Sequence, residues 1–163
     1  YCLRRDLDNE TITILNTSAV TLDLNNHFVQ SSLPFQYNIN AANCSDLIIQ
    51  NGSVRNSAIA GGGINFTQIT NGSISNCSLF NCVTGIQMIQ STNIMVDHCH
   101  AFFSPESEYG FKLLACQKLA FEHCTAIGTG QQLTEFSTFS VYGFYSEDGK
   151  ENSFQYCIAS GIS

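Results

Sequence analysis

The sequence predicts an all-β fold in which a single chain winds as a solenoid of parallel strands, about 22–25 residues to a coil and three short strands to each coil. Two columns of mostly small residues, the alternation of apolar positions between them, and the lack of room for any helix predict it. Asn38, Gly63, Gly85, Gly110 and Gly143 form the first column; Gly52, Cys77, Cys99, Cys124 and Cys157 form the second. Both advance by 25, 22, 25 and 33 residues, and the paired members always stand 14 apart. A constant block inside a variable period marks a repeat architecture.

Within that block the first strand is set by Ile39, Ile64, Ile86, Phe111 and Phe144, with Ala41, Phe66, Met88, Leu113 and Ser146 two residues on. A period of two places both sets on one face. The second strand follows at Leu47, Gly72, Ile94, Leu119 and Asn152 and then at Ile49, Ile74, Val96, Phe121 and Phe154. The third begins just past the Gly/Cys column with Val54, Leu79, Ala101, Ala126 and Ala159. Strands this short bury their apolar faces only if each coil stacks on the next, about 4.8 Å away. Every column then becomes a ladder of like side chains inside a tube. The cysteines obey the same logic. None of the eight forms a CxxC pair, which weakens a zinc or thioredoxin-like reading. They read as buried thiols acting as small hydrophobes, although the stacking distance would also permit a bridge between neighbouring coils.

One domain spans residues 1–163, 44% of them apolar, enough for a single core. Charged residues make up only 12% and the net charge is -7, a balance that repels phosphate backbones and anionic membranes, so nucleic acid is excluded as a partner. No apolar run reaches the 18 or so residues of a membrane-spanning helix, so no membrane insertion is expected. Neither end reads as a cap, so a piece of a longer chain is expected. Asn9, Asn16, Asn43, Asn51, Asn65, Asn71 and Asn76 each open an Asn-x-Ser/Thr sequon. Their places at tight turns make them by-products of an Asn- and Ser-rich repeat rather than glycan acceptors.

The segments GINFTQITNGSISNC (63 to 77), GIQMIQSTNIMVDHC (85 to 99) and GFKLLACQKLAFEHC (110 to 124) resemble the repeats of right-handed parallel β-helix proteins of the pectate-lyase-like superfamily. The opening ITILNTSAVTLDLNNHFV (12 to 29) resembles a first coil of such proteins. The resemblance implies a right-handed parallel β-helix and an exported or surface-bound protein, while the unpaired cysteines would equally suit a reducing compartment. It says little about activity, because that superfamily holds lyases, hydrolases, epimerases, tail spikes and adhesins.

Coil length varies only between the Gly/Cys column and the next Asn/Gly column, so insertions project from one edge beside the first strand. That strand's outward positions are Asn40, Asn65, Gln87, Lys112 and Tyr145, and the loops 102 to 109 and 127 to 142 bring Tyr109, Tyr142, Glu106, Glu108, Glu135, Phe136 and Phe139 near them. Amides and tyrosines along a groove suit a polysaccharide, since ring faces stack on sugars and amides bond hydroxyls. Asn65, Gln87, Tyr109, Lys112, Tyr142 and Tyr145 are the expected ligand-binding set, against the plainer reading of a solvated β-face. Catalysis would need Lys112 as base or a Glu106 and Glu135 pair as acid and base, yet the strand face carries no Asp to hold calcium. A second cluster, Asp97, His98, Glu122 and His123, falls where the repeat stacks one turn on another and offers ligands for a divalent ion. The plainer reading there is the Asn ladder that the resemblance implies at this turn, in the column of Asn51, Asn76 and Tyr156.

The sequence therefore points first to a non-catalytic repeat module whose loop-bearing face binds a polysaccharide or protein partner. A fragment of a polysaccharide lyase or glycoside hydrolase comes second, and a structural spacer or fibre segment third. No cofactor is expected, and the oligomeric state is open.

Overall fold

The computed structural model describes residues 1–56, 61–103, 109–128 and 142–161. Among these residues the secondary structure is strand and turn, and all strand pairing is parallel. Six strands, Ile12–Leu15, Tyr37–Ala42, Gly62–Thr67, Thr84–Ile89, Tyr109–Leu114 and Tyr142–Glu147, stack in chain order into one sheet. The second and third strands of the coils make a larger, bent sheet of 11 strands. This is the solenoid that the repeat predicts.

The register agrees with the columns. Ile12, Ile39, Ile64, Ile86, Phe111 and Phe144 pair in succession along the six-stranded sheet. Leu22, Ile49, Ile74, Val96, Phe121 and Phe154 do the same across the tube. From Ile39 to Phe111 and from Ile49 to Phe121 the side chains of both ladders are fully buried. Aromatic rungs fill the later coils: Phe111 stacks on Phe144 at 4.8 Å and meets Phe121 edge-on at 5.8 Å. Glycine dominates the first column because the next coil crosses there. A Cβ at Gly85 would lie 2.5 Å from the carbonyl oxygen of Gly110, too close for any side chain. Asn38 holds the equivalent place two coils earlier and donates its amide to the carbonyls of Val29 and Arg55 instead.

All eight cysteines are free thiols. Cys77, Cys99 and Cys124 are fully buried, and each of the latter two donates to two carbonyls, one in its own coil and one in the coil before: Cys99 to Asp97 and Ile74, Cys124 to Glu122 and Val96.

The corners differ from expectation in one respect. The turn between second and third strands is expected to separate them, but Ser45–Asn56 and Thr70–Phe80 run unbroken through it. One residue in the left-handed region bends the chain there, Asn51 at φ 60° and Asn76 at φ 52°, and the ladder resumes at once. The other bend, between first and second strands, uses two such residues per coil: Asn43 with Asp46, Gln68 with Asn71, Gln90 with Asn93. Asn and Asp tolerate this conformation because their short polar side chains bond locally. They do so between coils here: Asn76 donates to Asn51 at 3.3 Å, Asn93 to Asn71 at 2.8 Å and Asn43 to Asn16 at 3.2 Å. Of the seven sequon asparagines, all but Asn65 sit at left-handed positions, so backbone geometry accounts for their presence.

Candidate functional site

On the six-stranded sheet the buried side chains at alternate positions force the residues between them outward. Thr13, Asn40, Asn65, Gln87, Lys112 and Tyr145 consequently form one register line along the tube. Its middle is a relay of amides. Gln87 Nε2 donates to Asn65 Oδ1 at 3.2 Å, and Asn65 Nδ2 donates to Asn40 Oδ1 at 2.7 Å and to Thr67 Oγ1 at 3.1 Å.

Beyond Gln87 the line becomes aromatic and charged. The 33-residue step brings the strand Tyr142–Glu147 into register on Tyr109–Leu114. Tyr142 stacks on Tyr109 with ring centroids 5.5 Å apart and planes 9° apart. Tyr145 tilts against both, at 5.2 Å from Tyr109 and 5.3 Å from Tyr142. Lys112 Nζ lies 4.1 Å from the centre of the Tyr109 ring, a cation–π contact that holds an ammonium over the cluster. The Tyr145 hydroxyl donates to Glu147 Oε2 at 2.9 Å, and this bond to a carboxylate, followed by burial, raises the phenol above its ordinary value. At the opposite end of the same face a cavity of about 260 Å³ opens between Thr11, Thr13, Phe35, Gln36, Tyr37 and Asn40, with Phe35 83% exposed beside it.

The second cluster lies on the corner between second and third strands. Asp97, His98 and His123 offer ligand atoms that all lie within 4.8 Å of one another. His98 Nδ1 is 2.7 Å and His123 Nδ1 3.5 Å from Asp97 Oδ1. The imidazoles stack at 4.7 Å, and Tyr156 continues the stack from His123 at 5.1 Å. Both histidines take up the left-handed backbone of Asn51 and Asn76 in the same column.

Every expected ligand-binding residue thus falls on one face: Tyr109, Tyr142 and Tyr145 are in mutual contact, Lys112 joins them through Tyr109, and Asn65 and Gln87 bond to each other. Of the four residues proposed for a metal, Asp97, His98 and His123 converge. Glu122 stands in register with Asp97, but its carboxylate is outside the convergent set. Glu106, Glu108, Glu135, Phe136 and Phe139 lie outside the described residues. Sequence reasoning missed Glu147 and Thr67, both outward and two residues past the recognised line; continuing the strand alternation by one step reaches them.

Residues 10–163 match the family model described as a right-handed β-helix region. No curated protein and no solved structure matches the chain.

Proposed function

We propose that this chain, which belongs to the right-handed β-helix family, is a repeat module that binds a linear polysaccharide along the outer face of its six-stranded sheet. The observation that supports this best is the contact cluster of Tyr109, Tyr142 and Tyr145 capped by Lys112. Three phenol rings at the end of a line of amides give a sugar both an apolar face to stack on and donors and acceptors for its hydroxyls. The net charge of -7 and the carboxylate of Glu147 beside Tyr145 disfavour an acidic chain, so a neutral polysaccharide is the ligand class. Lys112 is committed to the Tyr109 ring, which suits orientation rather than proton abstraction.

The test is a panel of neutral and acidic polysaccharides, with unsaturated products and reducing ends followed on the same samples. Binding to a neutral member is expected without turnover, weakened about fivefold in Tyr109→Ala and Tyr145→Ala, since a lost stacking contact is worth on the order of 1 kcal/mol. Turnover abolished by Lys112→Ala would replace the module with a lyase or hydrolase. Silence on every glycan would leave a structural spacer.

A further inference from the structure

We propose that Asp97, His98 and His123 form a binding site for one divalent transition-metal ion, bridging two successive coils at the corner between second and third strands. This is independent of the glycan face, which lies on the other sheet.

The column itself supplies the first argument. At this left-handed corner the coils carry Asn51, then Asn76, then His98, then His123. Asn meets the conformational need and extends the ladder by bonding its neighbour, as Asn76 does to Asn51. Imidazole forms no such amide bond and continues the column by ring stacking instead, which leaves its nitrogens available to a ligand. Two histidines on consecutive coils replace a structural amide with the side chain that most commonly ligates metals, and the residue before the first of them is Asp97, where the preceding coil has Ser75.

Geometry supplies the second. Ligand bonds of about 2.0–2.1 Å to zinc put neighbouring ligand atoms roughly 3–3.4 Å apart in octahedral or tetrahedral arrangements. The two separations from Asp97 Oδ1, 2.7 and 3.5 Å, bracket that range, and the widest ligand-atom separation in the trio is at most 4.8 Å. Side-chain rotations that move the ligand atoms by at most about 1.4 Å close the trio around an ion. The side chains are between 32% and 53% exposed, so water completes the shell. Two imidazole nitrogens with one carboxylate suit zinc, nickel or copper rather than calcium or magnesium, which prefer oxygen. Because His98 and His123 belong to different coils, a bound ion ties those coils together and stabilises the folded chain by mass action.

The experiment is calorimetric titration of the intact chain with Zn²⁺ and Ca²⁺, with melting temperature followed against Zn²⁺ concentration. One Zn²⁺ per chain is expected, no Ca²⁺ at matched concentration, and a melting temperature that climbs with Zn²⁺. His98→Asn and His123→Asn install the residue that the same column already uses, so the corner folds; each should weaken Zn²⁺ by on the order of 100-fold and abolish the thermal shift. Co²⁺ should bind without a thiolate charge-transfer band, which separates this site from the cysteines. Unchanged Zn²⁺ affinity in both Asn variants, a thiolate band, or no binding to the parent chain would each overturn the proposal.

Discussion

A thiol inside this tube meets carbonyls and other thiols where water would otherwise be. Cys82 donates to the Phe80 carbonyl in a fully buried site, and burial pushes it up to about 12 from an ordinary 9.0. Cys99 is raised as well, by its contacts with the thiols of Cys124 and Cys77 and then by burial. Folding therefore holds protons that the unfolded chain releases. The stabilisation is complete below pH 9.0 and drains away as pH climbs from 9.0 towards about 12. Melting temperatures taken across that window should fall steadily, and Cys82→Ser, whose hydroxyl keeps the bond to Phe80 without ionising, should fall less steeply. A flat profile in the parent chain would mean the thiols are solvated. Burial of Cys77, Cys99 and Cys124 was legible in the sequence, because with Cys157, which is only half-buried in the last coil, they share the apolar period. The carbonyl pairs that each thiol bridges were not, since they depend on which coil lies beneath.

At the scale of the strand, alternation is the whole of the argument. Val96 points into the core with no exposure, while its neighbour Met95 is 41% exposed. Val96→Asp should cost roughly 3–5 kcal/mol, from lost packing and a carboxylate without partner or water. Met95→Asp should stay within about 0.5 kcal/mol. Urea midpoints for the two variants decide it, and similar losses would mean that the register is off by one. The strands were readable because their inward ladders repeat one chemical type. The left-handed column of the first bend was not: running through Asn43 and Gln68, it continues with Gln90, Ala115 and Asp148, which share no property that a sequence pattern registers. The candidate site was legible to the same depth. Asn65, Gln87 and Lys112 followed from being the outward neighbours of Ile64, Ile86 and Phe111, whereas Glu147 was hidden because its column otherwise holds Ala42, Thr67, Ile89 and Leu114.

Across the whole molecule each coil touches only the one before and the one after, so stability adds up along a line rather than over a volume. The middle coils have neighbours on both sides and the outer ones on one, and the side chains register this: Ile74 and Val96 are completely buried, while Phe154, in the same ladder but in the last coil, is 41% exposed. Amide hydrogen exchange should be slowest in Thr70–Phe80 and Thr92–Asp97 and progressively faster towards Leu7–Asp8 and Ile158–Ser160. Uniform protection from end to end would mean that the coils open as a single unit.

The glycine at position 85, with a carbonyl of the next coil 2.5 Å from where its Cβ would stand, has a bearing on how such a chain changes over generations. A residue added anywhere inside the 14-residue block displaces every ladder after it and drives a side chain into that gap. One added between the third strand and the next first strand displaces nothing, as the steps of 22, 25 and 33 residues attest. Heritable novelty is thereby channelled to a single edge, the one that borders the tyrosines, while the remainder of each coil is held to near-copying of its neighbour.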